Sequence, residues 1–275
     1  MKNPFRTAEP LSKDLVAALE TLERIGRTRP ELAEPARTLA IVLKLAFSGA
    51  KSAGATSSKD AYPLAWAEGR PAFQVFPPTL DSTEISDRAV SIVSALWPAN
   101  PTASRCLSAL ERGEIDVAAC AFRMLRGEFA VDAVGLEELG IEAEFFRSVL
   151  RFGLLPSLAE ITKTSTAPTE WPSASCPYCG SQAALAESRG LETSRFLRCG
   201  LCAGDWPAPR LGCPECGERD SDRCRILFVE GEENARRLVL CESCGLRLKV
   251  VSTLRPLSPP SIAVVELEAI HLDFL

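Results

Sequence analysis

The chain contains one histidine, His271, in 275 residues. Histidine-based catalysis or ligation has only that position to use, and it is expected on the surface of a C-terminal tail. Positive charge is not in excess either: the formal net charge is -5 and the sequence pI is near 5.2. A general basic affinity for nucleic acid or anionic lipid is therefore excluded. Long apolar runs are missing as well. The most apolar stretch, Leu39 to Phe47, is interrupted by Lys44 and falls far short of the ~20 residues that span a bilayer. Residues Met1 to Arg6 lead into the mixed-charge stretch Leu11 to Arg27, without the apolar run of a secretory signal. At 46% hydrophobic and 24% charged residues, the chain is not mostly disordered. A cytoplasmic protein with no membrane insertion is expected.

What the chain does have is cysteine, 11 in all. In a reducing compartment, clustered cysteines bind metal or do redox chemistry more often than they form structural disulfides. Cys106 and Cys120 stand apart, and the other nine fall between Cys176 and Cys244. Just before them, Thr, Ser and Pro fill nine of the fourteen positions from Thr162 to Ser175, the texture of a linker.

The spacing predicts an all-α domain over residues 1–161. Leu15, Leu19, Leu22 and Ile25 recur at helical intervals, and Glu31 to Phe47 repeats the pattern after Pro30. Asn100 and Pro101 supply a cap and a first-turn proline ahead of Arg105 to Glu111. Val117, Cys120, Ala121 and Met124 form another stripe. Phe145 to Phe152 mark a last core helix, expected to end near Gly153 and Pro156. Residues 50–80 show no period and are expected to be a long connection. Beyond the linker, short β-like runs appear at Ala183 to Ser188, Arg195 to Arg198, Arg225 to Glu230, Arg236 to Leu240 and Leu246 to Leu254. The expected fold class is α+β: the helical domain, a linker over 162–175, two small rubredoxin-like or zinc-ribbon β modules over 176–212 and 213–255, and a tail over 256–275.

Four Cys-x-x-Cys pairs carry the chemistry: Cys176/Cys179, Cys199/Cys202, Cys213/Cys216 and Cys241/Cys244. Two intervening residues allow a tight turn that aims both sulfurs at one ion. Two such turns supply the tetrahedral four-thiolate set. Glycine follows three of the pairs, at Gly180, Gly217 and Gly245, and Ala203 stands at the fourth. The first and third gaps between pairs hold strand–turn–strand signals. Cys176, Cys179, Cys199 and Cys202 are therefore expected to share one ion, and Cys213, Cys216, Cys241 and Cys244 another. A cross-braced pairing is the alternative. Pro207 and Pro209 in the middle gap suit an edge strand that joins the modules.

Zinc and iron both accept this donor set, so spacing does not name the ion. A dithiol oxidoreductase would instead need an active pair at a strand-to-helix junction, and no helical period is present here. Cys224, Cys106 and Cys120 read as packing residues. Between 176 and 251, 11 Lys and Arg balance 11 Asp and Glu, and eight thiolates around two divalent ions would add negative charge. That argues against a nucleic-acid partner.

The four pairs in order, with Arg195-Phe196-Leu197-Arg198 leading into the second and Trp206 and Arg210 between the second and third, resemble the formate dehydrogenase accessory protein family, FdhE. The stretch Cys241-Glu242-Ser243-Cys244-Gly245-Leu246-Arg247-Leu248-Lys249 closes the resemblance, which covers about 75 residues closely. Pro207 departs from it, since relatives often carry histidine after the tryptophan. The resemblance implies an assembly factor rather than an enzyme, acting on the catalytic subunit of formate dehydrogenase. It also implies that the eight paired cysteines are the metal ligands and favours iron, held as in rubredoxin. Two other functions fit the residues alone: a zinc-ribbon nucleic-acid module and a rubredoxin-like electron carrier.

Overall fold

A computed structural model describes residues 11–48, 56–97 and 100–275. The first part is helical: α1 (Lys13–Thr28), α2 (Ala33–Phe47), α3 (Tyr62–Ala67), α4 (Ala72–Val75), α5 (Ser82–Leu96), α6 (Pro101–Glu111), α7 (Val117–Leu125), α8 (Ala130–Glu138) and α9 (Ala143–Lys163). The caps explain several starts. Asn100 Oδ1 accepts from the Thr102 and Ala103 N–H groups, and Asp116 Oδ1 from that of Ala119, satisfying donors that the first turn leaves free. Ser12 caps α1, which buries Leu15, Ala18, Leu22 and Ile25 on one face.

Helix α9 does not end near Gly153 and Pro156 as the sequence suggests; it runs through both. A proline inside a helix withdraws one N–H, here from the Phe152 carbonyl. Buried Arg88 of α5 braces the adjoining turn. Its Nη1 donates to the Gly153 carbonyl at 3.1 Å and to Ser157 Oγ at 3.0 Å, while Glu84 neutralises its charge.

Residues 56–80, expected as part of a long aperiodic connection, hold α3, α4 and a 3₁₀ turn at Lys59–Ala61. Residues 50–55 of that expected connection lie outside the described residues. Tyr62 and Phe73 from this segment are fully buried and form an aromatic cluster with Trp66 and Tyr178. These helices are too short to show a period in sequence. Packing against the second half of the chain holds them.

That half forms one six-stranded sheet from β1 (Ala183–Arg189), β2 (Ser194–Cys199), β3 (Asp205–Pro207), β4 (Cys224–Leu227), β5 (Arg236–Cys241) and β6 (Arg247–Thr253), in the order β3-β2-β1-β6-β5-β4. The edge strand β3 pairs only with β2, so it does not join the two β units as expected. Parallel pairing of β1 with β6 joins them, from Ala186 opposite Val250 to Arg189 opposite Thr253.

One core runs from Leu150, Leu154 and Leu158 of α9 into Tyr178, Leu201 and Trp206 beside the first cysteines. The segment expected as a linker is tied in too: Glu215 accepts from the Ala174 N–H at 2.7 Å, and Trp206 donates to the Ser173 carbonyl. The segment expected as a tail forms α10 (Pro259–Glu268) and a final 3₁₀ turn. Helix α10 buries Ile262 and Val264 against the sheet and α1. His271 lies 3.1 Å from Glu232 and is largely covered.

Candidate metal centres

Each Cys-x-x-Cys pair folds into the same turn. The N–H of the residue after the second cysteine donates to the carbonyl of the first, as Gly180 does to Cys176, Ala203 to Cys199, Gly217 to Cys213 and Gly245 to Cys241. The N–H of each first cysteine donates in return to the carbonyl five residues on, at Ser181, Gly204, Glu218 and Leu246. This turn needs positive φ at its fourth step. Gly180, Gly217 and Gly245 lie between 75° and 80°, and Ala203 adopts 56° without being glycine. The Ala203 methyl is buried in a cluster with Leu155, Ala159, Leu185 and Val251, and that burial offsets part of the steric cost.

Hairpin β1–β2 brings the first two turns together, and hairpin β4–β5 the last two. The sulfurs of Cys176, Cys179, Cys199 and Cys202 all lie within 4.8 Å of one another, and so do those of Cys213, Cys216, Cys241 and Cys244. The closest approaches are 3.4 Å (Cys179–Cys199) and 3.5 Å (Cys176–Cys202) in the first cluster. In the second, both close pairs, Cys213–Cys244 and Cys216–Cys241, stand at 3.6 Å. Four thiolates bound at ~2.3 Å in a tetrahedron stand roughly 3.8 Å apart, so both donor sets fit one tetrahedral ion each. N–H groups aimed at sulfur add to the fit. Those of Leu201 and Cys202 point at Cys199, and that of Glu215 points at Cys213, all at 3.4 Å.

The clusters differ in surroundings. All four cysteines of the first are buried, and helices enclose them. Trp66 Nε1 and the Ala72 N–H both donate to the Pro177 carbonyl at 2.8 Å, and the Phe73 N–H to that of Tyr178 at 2.7 Å. From α9, Arg151 Nε donates to the Gly200 carbonyl and Thr162 Oγ1 to that of Cys202, both at 2.8 Å. Gly200 leaves room for this, since a Cβ there would meet Arg151 at 2.7 Å. Burial pushes the Cys176 and Cys202 thiols up, whereas hydrogen bonds from Cys176, Cys179 and Cys202 pull Cys199 down. A cation relieves this conflict by accepting all four as thiolates. In the second cluster, Cys213 and Cys241 are buried but Cys216 and Cys244 are exposed.

Sequence reasoning did not find Trp66, Ala72, Phe73, Arg151 and Thr162 as supports. A tryptophan in the otherwise aperiodic stretch was the available signal. Cys106 and Cys120 are buried in the helical core, and Cys224 packs part-buried on β4; none joins a cluster.

No family model matches the chain. The FdhE homolog of Aquifex aeolicus is 29% identical over 137 residues, which span 48% of this chain and 47% of that protein. Protein FdhE of Escherichia coli O127:H6 is 30% identical over 78 residues, 28% of this chain and 25% of that one. The matched stretches thus cover about half or less of these relatives. The crystal structure of the FdhE protein from Pseudomonas aeruginosa superposes with a TM-score of 0.60 at 20% identity, over 97% of this chain and 92% of that one. The chain is thus similar in part of its sequence to FdhE proteins and shares the fold of one of them. The FdhE fold is shared over nearly the whole length, helices included, while the curated FdhE sequences match a shorter stretch. Among the described residues, no helix of this FdhE-type fold is long and apolar enough to cross a membrane.

Proposed function

We propose that the chain is a cytoplasmic accessory factor for formate dehydrogenase, not itself an enzyme, and that it acts on the catalytic subunit. Cys176, Cys179, Cys199 and Cys202 bind one metal ion, and Cys213, Cys216, Cys241 and Cys244 a second. The observation that carries this reading is an FdhE fold holding two four-cysteine clusters of unequal exposure. The buried cluster ties the sheet to α3, α4 and α9. The other offers Cys216 and Cys244 to a client at the surface. Such an ion supplies a rigid four-way cross-link and, if it is iron, a one-electron couple. Iron is favoured by the resemblance, and zinc suits the same donors.

Co-purification from cells that make formate dehydrogenase tests the reading. The catalytic subunit is expected to accompany the tagged chain, and a deletion strain is expected to lose enzyme activity. Full activity in that strain, with no associated subunit, overturns it. A rubredoxin-like electron carrier is the second reading, and the exposed Cys216 and Cys244 edge favours it. It requires a reversible one-electron wave, which a colourless zinc-loaded protein would not give.

A further inference from the structure

A cleft of about 190 Å³ opens on the sheet where its two halves meet, with its Arg195 and Leu211 close to the Cys213 turn. Arg195 of β2, Arg237 of β5 and Arg210 of the connection after β3 line it, together with Ser188 and Thr193. Among the described residues, no carboxylate lies within ion-pair distance of any of the three. Their neighbours differ: Arg189 and Arg198 share Glu187 and Asp205, and Arg236 pairs with Glu232 and Glu268. In a chain with more acidic than basic residues, three unpaired arginines around one hollow are a local excess of positive charge. Arg195 uses one N–H on the Gly212 carbonyl at 2.9 Å, and its remaining donors stay available.

The hydroxyl of Thr193 points the same way. Its Oγ1 is buried and has no hydrogen-bond partner. Thr193 also holds φ at 53°, a conformation that β-branched residues rarely adopt. Burial, and then the like charge of Arg237, push the Arg195 guanidinium below its ordinary value, against a smaller opposing pull from Cys224 and Cys213. An anion would relieve both.

We propose that this cleft binds one small oxyanion, a free phosphate, sulfate or carboxylate, held by Arg195 and Arg237 with the Thr193 hydroxyl donating to it. The planar guanidinium fork matches two oxygens of such a group. The volume is below that of pockets for drug-sized ligands, which suits a compact anion and not a nucleotide. A polynucleotide backbone needs a longer positive track. Both halves of the sheet supply the donors, so the anion would clamp them together.

Thermal melts and calorimetry on the full metal-loaded chain test this, with sodium phosphate, sulfate and acetate set against chloride at equal ionic strength. At least one oxyanion is expected to raise the melting temperature and bind. Arg237→Ala is expected to weaken that binding by at least about tenfold and Arg237→Lys by less, with metal content unchanged. Which salt acts tells tetrahedral oxyanions from carboxylates. Equal melting temperatures in all four salts overturn the proposal. So does unaltered binding in Arg237→Ala, or Arg237-dependent binding of a single-stranded oligonucleotide with no response to free anions. No cysteine lines the cleft, so such a failure leaves the accessory-factor reading standing.

Discussion

Arg151 on α9 donates from Nε to the carbonyl of Gly200, inside the second cysteine turn, at 2.8 Å. The same guanidinium pairs with Glu266 of α10. One side chain thus fastens the longest helix to the buried cluster and to the C-terminal helix. Arg151→Ala should cost about 1.5–3 kcal/mol, the range for hydrogen bonds involving a charged group. It should also speed metal loss from the first cluster. Chemical denaturation and chelator kinetics check this, and an unchanged rate of metal release would contradict the supporting role.

The two clusters should respond unequally to ligand loss. Cys176→Ala leaves three buried thiols without a fourth beside the shared core, and it should lower stability by more than ~3 kcal/mol. Cys216→Ala opens a site already at the surface, so the chain should stay folded and lose about one metal equivalent. Metal-to-protein ratios and melting curves on both variants decide the matter. A larger loss of stability in Cys216→Ala would reverse the assignment of roles.

Ala203 holds a backbone conformation that costs an alanine about 1–2 kcal/mol. Ala203→Gly removes that cost and also the buried methyl, worth ~0.8 kcal/mol. The net change should stay within about 1 kcal/mol of zero. Ala203→Val adds a β-branched side chain at positive φ and should destabilise by about 2 kcal/mol. Equilibrium unfolding of the two variants is the check.

Burial pushes the Cys106 thiol up to about 12, and burial followed by the charge of Asp132 pushes Cys120 up to about 11. Both should resist iodoacetamide in the native chain at pH 8.5 and react only after unfolding. The sign for stability follows from tighter proton binding in the folded state. The Cys106 contribution is complete below the ordinary value of 9.0 and is lost as pH rises toward about 12. Cys106→Ala should therefore lose less stability than the unaltered chain between those limits, as alkaline titration of unfolding would show.

The cysteine clusters were legible because each turn is local: two residues between sulfurs and a positive φ after the second. Helices α1, α2, α6 and α7 were legible from apolar spacing and from caps such as Asn100. The passage of α9 through Pro156 was not, because Arg88, distant in sequence, braces the helix there through the Gly153 carbonyl and the Ser157 hydroxyl. Helix α5 carried a usable signal, with Asp81 as cap ahead of Ile85, Ala89, Ile92 and Val93, just beyond the aperiodic stretch. Helices α3 and α4, of six and four residues, take their shape from contacts with Pro177 and Tyr178. The β1–β6 pairing joins residues more than sixty positions apart, and no local pattern announces it.

That pairing bears on how the molecule comes apart. Strands β1 and β6 lie on opposite sides of the 208–212 connection, which a protease could cut. Their ladder crosses the cut, so the two fragments should migrate as one particle on a sizing column and separate only in denaturant.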